Sequence, residues 1–373
     1  MAKEVYFRKE DLEKYIIHFL TTYSVSEEDA KTIAGVIMAA DLRGVHSHGI
    51  ASLHVYCGDR LRAGLIDASN TFKILKETPN TAVYDGGNGF GQVCGFKAMS
   101  SCIDKAKNHT VGLATARNSN HFGIAGYYAM MALKHNMIGI SLTNSEPLIA
   151  PTYRKTRMLG TNPIAVAVPA RNKHPYVLDM ATSIVPLGKV MLAETKGEKI
   201  PAGYGIDARG EVTTDPMEVK KGGALLPLGG TDIMSGYKGY GLALLVDILC
   251  GVLSGASFGS SVGSPIGTSG PNVDIGHFFM AVNIETFRAL DDFTRDMDKL
   301  IAQLISAPKA SGQQRIYIHG EKEFEKMAEY EASGIPLPAA VVDVLKAKGR
   351  EAGVEFDVNP IKSMNAINGH DQV

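Results

Sequence analysis

Between positions 81 and 284 the chain returns repeatedly to a short β-rich run closed by a glycine-bearing turn, while both ends carry helical periodicity. Few folds accommodate that layout. The β-rich runs are 81–85, 111–117, 138–143, 164–169, 176–180 and 278–284, and runs of this kind read as strands. Helices are predicted over 92–108 and 127–135, with a long apolar helix after Tyr237. Near the start, Leu12, Ile16, Phe19 and Leu20 recur at three- and four-residue steps and give one apolar stripe. Ser26 opens a second helix with Glu27, Glu28 and Asp29 in its first turn and Ala30, Ile33, Ala34 and Ile37 on its buried face. From Phe287 the tail returns to amphipathic helices. The expectation is a β-rich middle domain, 76–284, with 1–75 and 285–373 packed together as a helical domain.

No standard nucleotide fingerprint is present. Gly86-Gly87-Asn88-Gly89-Phe90-Gly91 comes close to GxGxxG, but Gln92 stands where the third glycine belongs. The segment reads as a tight strand-to-helix turn. A GxxxxGK[ST] loop is absent too, so Rossmann and P-loop folds are disfavoured.

The 373 residues are 45% hydrophobic and 21% charged, and the formal charge of -1 gives no reason to bind nucleic acid or an anionic membrane. Cys57, Cys94, Cys102 and Cys250 form no CxxC pair and sit in apolar or helical surroundings, which predicts free thiols in a reducing compartment. The opening residues lack the apolar core of a signal peptide, and the longest apolar run, 240–253, is too short to span a bilayer and contains Asp247. These features predict a cytoplasmic protein.

Four segments could carry chemistry. In His46-Ser47-His48-Gly49 a histidine beside glycine, just past a helix end, can reach a cleft and exchange protons near neutrality. An exposed polar turn explains it equally well. With His54 and Cys57 it reads as a zinc site, although His-x-His ligands usually sit on a strand and this segment leaves a helix. Arg117-Asn118-Ser119-Asn120-His121-Phe122-Gly123 ends a strand and enters a helix, where backbone N–H groups and short polar side chains gather round a ligand. Asp179-Met180-Ala181-Thr182-Ser183 places an acid and two hydroxyls at a strand end, suited to hydrogen-bonding a ribose or amide, or to capping a helix through Thr182 or Ser183. Gly236-Tyr237-Lys238-Gly239 puts a lysine between glycines at a helix start, either to meet an anion or as a solvated loop.

In order, these segments resemble the malate/L-lactate dehydrogenase family, which is unrelated to the Rossmann lactate and malate dehydrogenases. Its members include ureidoglycolate and sulfolactate dehydrogenases and the diketogulonate and cyclic-imine reductases. The matching stretches are Asp41-Leu42-Arg43-Gly44-Val45-His46-Ser47-His48-Gly49-Ile50, 85–91, 117–128, Leu159-Gly160-Thr161-Asn162-Pro163, 178–183, Leu226-Pro227-Leu228-Gly229-Gly230, 236–253 and Ile275-Gly276-His277-Phe278-Phe279. The resemblance implies an α+β fold of the L-sulfolactate dehydrogenase kind, with a central, mainly antiparallel sheet domain and a helical domain from both termini. It also implies NAD or NADP as cofactor, a small carboxylate substrate, no resident metal, and a homodimer or higher homo-oligomer.

Residue by residue, the resemblance places Ser47 and His48 beside the reacting carbon. His121 matches a histidine assigned proton transfer in some members. Asp179 matches an acid near the nicotinamide, with Met180, Ala181 and Thr182 lining the cofactor. Ser145, Lys238 and Gly239 match further cofactor contacts, and Gly320-Glu321 resembles a cofactor-side segment, with His319 where a proline is usual. Asn118 and Thr161 are candidate substrate contacts. Two departures bear on the substrate. Where the family pattern has an arginine four residues beyond the histidine of SHG, this chain has Ser52, and near Pro151 it has Thr152-Tyr153-Arg154 instead of paired glycines. Arg154 is the first candidate to replace the missing arginine, ahead of His54 and Arg60. The expected reaction is hydride transfer between a nicotinamide and a small 2-hydroxy or 2-keto acid, malate first. A keto-sugar-acid or cyclic-imine reductase and a zinc hydrolase are the alternatives.

Overall fold

The computed structural model describes residues 4–361. A short strand, β1 (Glu4–Phe7), precedes helix α1 (Lys9–Thr22), which buries the predicted stripe of Leu12, Ile16, Phe19 and Leu20. Helix α2 (Glu27–Leu42) begins as the sequence requires: Ser26 Oγ accepts the Asp29 N–H at 3.1 Å, and three acids in the first turn complement the helix dipole. The chain then winds through single turns at His46–His48 and Ile50–Ser52, a wide π-type turn at His54–Gly58, and α3 (Asp59–Arg62).

Strands β2 (Lys73–Glu77) and β3 (Thr81–Asp85) form a hairpin, and α4 (Gly91–His109) carries the chain over to β4 (Val111–Ser119), parallel to β3. Next come α5 (Ala125–Met131), β5 (Met137–Thr143), β6 (Ile164–Val168) and β7 (Tyr176–Met180). An excursion follows, with α6 (Leu187–Lys196), α7 (Pro216–Lys220) and a small sheet of β8 (Gly205–Ile206), β9 (Val212–Thr213) and β10 (Ala224–Leu225). Helix α8 (Gly236–Asp247) then leads to β11 (Ile275–Asn283), which inserts between β4 and β5. The main sheet has the order β2-β3-β4-β11-β5-β6-β7, and every pairing except β3 with β4 is antiparallel. The mainly antiparallel sheet and the absence of a Rossmann arrangement agree with expectation.

Alternation along the strands sorts the side chains into two layers. Ala114, Ala116, Ala165, Ala167, Phe279 and Ala281 pack with α4 and α5, and their small size lets those helices lie close. Leu113, Ile140, Leu142, Ile164, Phe278 and Met280 pack on the other face, beneath Val246 and Cys250. A separate apolar cluster joins α1, α2 and the first residues of α4 to the C-terminal segments α10 (Glu321–Ser333), β12 (Ile335–Pro338) and α11 (Ala339–Glu351), with β1 and β12 paired antiparallel. Between β11 and α10, helix α9 (Leu290–Ser306) contributes no residue to that cluster. Its Asp298 accepts the N–H groups of Arg171, Asn172 and Lys173 at the edge of the sheet unit. Strand β2 is absent from the sequence reading because all five of its residues are exposed and three are charged, so it shows no alternation. Among the described residues no helix is long and apolar enough to cross a membrane.

Candidate active site

The end of α2 is a buried carboxylate round which the next segment folds. Asp41 Oδ1 lies 2.9 Å from His46 Nδ1, and Oδ2 accepts the Ile50 N–H at 2.7 Å. Gly49 passes so close that a Cβ there would lie 1.9 Å from Asp41 Oδ1, so only glycine fits. This wrapping presents Ser47 and His48 outward, with Ser47 Oγ 2.9 Å from His48 Nδ1. Across from them, the end of β4 turns sharply. Asn118, at φ +49°, donates its side-chain amide to Asp85 Oδ1 at 2.9 Å and its backbone N–H to Asp274 Oδ1 at 2.7 Å. Asn120 donates to the Asn88 and Gly89 carbonyls. Both asparagines therefore hold the turn that delivers His121.

His121 is the centre of a ring stack. Its imidazole lies 4.0 Å from the Tyr56 ring, nearly parallel, and 5.4 Å from that of His48. Its Nδ1 accepts the Gly123 N–H at 3.3 Å. Burial first, and then the neighbouring imidazoles of His48 and His277, drive the His121 pKa well below 6.5, whereas His48 is lowered by burial alone. Both rings are neutral at pH 7. His277 is a supporting residue in the sheet, bonded to Thr143 and Ser119 at 2.8 Å each and pushed by burial down to about 3.

A second strip of polar groups runs from β7 to α8. Asp179 is exposed at its surface yet surrounded by protein, and that desolvation raises its carboxyl to about 6, against the Gly126 N–H donated at 2.7 Å and the nearby Arg43 charge. Met180 ends the strand and Ala181 follows it, both half-buried. Thr182 does not cap a helix: its Oγ1 donates to the Thr161 and Asn162 carbonyls, Ser183 Oγ turns to the Val185 carbonyl, and α6 starts later, after Pro186. The Thr161 N–H reaches Ser145 Oγ at 3.1 Å, and the Leu228 N–H reaches the Thr182 carbonyl at 2.8 Å. Gly239 lies against Leu228, where a Cβ would come within 2.2 Å of its carbonyl oxygen. Ser145, Thr161, Thr182 and Gly239 are thus joined into one continuous strip, with Lys238 exposed in the first turn of α8. Gly320 and Glu321 reach β7 through the Val177 N–H, which donates to the His319 carbonyl at 3.0 Å. Glu321 accepts the Ile318 N–H and pairs with Arg315.

Three sequence expectations take a different place. Arg154 lies on an exposed loop, its Nε donating 2.7 Å to Thr156 Oγ1 rather than joining the histidine stack. Ser52 Oγ donates to the Gly49 carbonyl and closes its own turn. The His46, His48, His54 and Cys57 set diverges: His46 pairs with Asp41, while His54 is buried edge-on against Phe19, which pushes its pKa to about 4. Among the described residues no group of three or more His, Cys, Asp or Glu is arranged to hold a metal ion. Sequence reading also missed Tyr56, Asp41 and Arg43. Arg43 is buried, lies 4.8 Å over the Phe324 ring and lowers the Asp179 pKa through its charge. Only the motif Asp41-Leu42-Arg43 itself signalled the last two.

The family described as malate/L-lactate dehydrogenase matches residues 7–346. This chain belongs to that family. It is 47% identical to a malate dehydrogenase of Pyrococcus abyssi, over 93% of this chain and 95% of that protein. It is 41% identical to an L-sulfolactate dehydrogenase of Methanocaldococcus jannaschii, over 94% and 98%. A solved malate dehydrogenase from Pyrococcus horikoshii OT3 superposes with a TM-score of 0.88 at 42% identity, covering 95% of this chain and 98% of that one. The dehydrogenase is therefore an oxidoreductase acting on hydroxy acids with a nicotinamide cofactor.

Proposed function

We propose that this dehydrogenase interconverts malate, or a 2-hydroxy acid close to it, with the 2-keto acid, His48 moving the hydroxyl proton and His121 orienting the substrate. The stack of Tyr56, His121 and His48 carries the reading: two neutral imidazoles face each other where the helical unit meets the sheet. With Ser47 on its Nδ1, His48 keeps Nε2 as the nitrogen for proton exchange. In oxidation the neutral ring takes the hydroxyl proton, and in reduction it returns it, help worth about 10²–10⁴-fold in rate.

The strip from β7 to α8 fits a dinucleotide. Hydroxyl and peptide groups at Ser145, Thr161 and Thr182 suit a carboxamide or ribose, and Lys238 beside the peptide N–H groups that open α8 suits a pyrophosphate. Asp179, Met180, Ala181, Gly239, Gly320 and Glu321 complete the set that would hold it. The nicotinamide, when bound, supplies the hydride acceptor and donor. On this reading 76–284 is the cofactor-binding domain and residues 1–75 pack with α10, β12 and α11 as its helical companion, while α9, expected in that companion as part of 285–373, lies against the edge of the sheet.

The protein works as a homodimer or higher homo-oligomer through α8 and the turn after it. There Leu242, Leu244, Leu245, Ile248, Val252 and Leu253 are exposed with no charged side chain exposed among them, a patch that a second copy would cover. Cytoplasmic residence belongs to the same reading, supported by four buried free thiols, of which burial pushes Cys57 and Cys94 up to about 12. The test is oxaloacetate with NADH or NADPH, followed by loss of nicotinamide absorbance. Turnover supports the assignment. A folded protein that reduces only cyclic imines or keto-sugar acids would overturn the substrate class.

A further inference from the structure

Ser52 leaves the substrate carboxylate without its expected cation, and Arg154 points elsewhere. One guanidinium in the neighbourhood is itself unmatched. Arg60 is 1% exposed, and its Nη1 lies 3.5 Å from the Ser264 and Gly267 carbonyls. Its Nε and Nη2 are buried with no hydrogen-bond partner among the described residues. Adjacent Asp59 gives no relief, because it pairs with Arg62 and Lys348. An unpaired buried cation with two unused donors is strongly unfavourable unless something else satisfies it.

Its position says what that partner is. Arg60 lies four residues beyond Tyr56 in one unbroken helical segment, so the two share a face. Tyr56 is the ring stacked 4.0 Å from His121. The loop whose carbonyls hold Nη1 leads on to Asp274, which accepts the Asn118 N–H in the turn that delivers His121. The two unpartnered atoms, Nε and Nη2, form the edge by which an arginine grips a carboxylate through two parallel hydrogen bonds. We propose that Arg60 binds the carboxylate of the 2-hydroxy acid, with the 264–267 loop holding Nη1 so that the Nε–Nη2 edge faces the substrate. The inference rests on the hydroxy-acid reading above and names its specificity residue. The segment His54–Gly58 that sets its angle is a π-type turn, a local widening of the helix.

Kinetics of the full chain test this with oxaloacetate and the reduced nicotinamide that the wild type prefers, for Arg60→Ala, Arg60→Lys and Arg154→Ala. Folding is followed by circular dichroism and cofactor affinity by nicotinamide fluorescence. Arg60→Ala should raise KM for oxaloacetate about 30-fold or more while cofactor affinity stays within about twofold. Arg60→Lys, which keeps the charge without the fork, should fall between, and Arg154→Ala should match the wild type. A role confined to holding the 264–267 loop would lower thermal stability without splitting KM from cofactor affinity. A folded Arg60→Ala with unchanged KM overturns the clamp. If that variant does not fold, Arg60→Lys decides: a rise of about tenfold in KM supports the clamp, and wild-type KM overturns it. An inactive wild type on every 2-keto acid would instead defeat the hydroxy-acid reading, and the clamp with it.

Discussion

His48 and His121 lie 5.4 Å apart, yet their surroundings give them different chemistry. His121 is buried against the rings of Tyr56 and His48, and burial first, then His48 and His277, push its pKa well below 6.5. His48 is shifted by burial alone. A general base works best with a pKa near the working pH, which favours His48. His48→Ala should therefore lose about 10²–10⁴-fold in kcat, and His121→Ala less, with cofactor affinity little changed in either. A larger loss in His121→Ala would reverse the roles. The pH profile follows in sign: burial lowers the His48 pKa, so oxidation kcat/KM should decline at a lower pH than it would for a free imidazole. Asp179 runs the other way. Its carboxyl is raised from 3.8 to about 6, so its ionisation opposes folding as the pH rises through that window, a penalty located where the cofactor strip begins.

At the scale of elements, the segment after α2 is shaped by one buried side chain. Asp41 takes His46 and the Ile50 N–H, and Gly49 is the only residue small enough to pass it. Gly49→Ala should cost about 1–3 kcal/mol of stability, because Asp41 is held from two sides and cannot withdraw. It should also lower kcat/KM by moving Ser47 and His48 out of place. Thermal unfolding and steady-state kinetics on one preparation check both, and wild-type values in each would remove Asp41 as the organiser. The same scale explains what the sequence revealed. Strands β4, β5, β6 and β11 alternate between two apolar layers, and β3 and β7 turn one face into the layer beneath α4 and α5, so all six were legible. The two-residue strands β8, β9 and β10 are too short for alternation to register, and β2 is exposed throughout.

For the molecule as a whole, the uncovered apolar surface is that of α8 and the turn after it. Its N-terminal turn carries Lys238 and Gly239 of the cofactor strip, while its outer face exposes leucines and the turn after it Val252 and Leu253, both more than half exposed. If the proposed dimer or larger assembly forms through this face, Leu245→Glu combined with Val252→Glu should give a stable single chain, read by size exclusion with light scattering. A monomeric wild type would show that this face serves something else. Dissociation should also weaken cofactor binding, since the same helix bears both.

The sequence by itself determined the family, the strands of the main sheet other than β2, the helices of the two ends and the segments that meet at the site, because periodicity and motif order are local properties. It placed Ser47, His48, His121 and Asp179 in those segments without any contact between them. What only the tertiary structure decided is how separated segments face one another. Tyr56 became part of the site by stacking on a residue 65 positions away, and Arg43 by lowering the Asp179 pKa through its charge. Sequence position puts Arg154 ahead of Arg60, because Arg154 lies in the second departure from the family pattern. Burial reverses that order: Arg154 is solvated, and Arg60 is enclosed with two donors unmatched among the described residues. Desolvation depends on everything packed round a group, and no stretch of sequence contains that information.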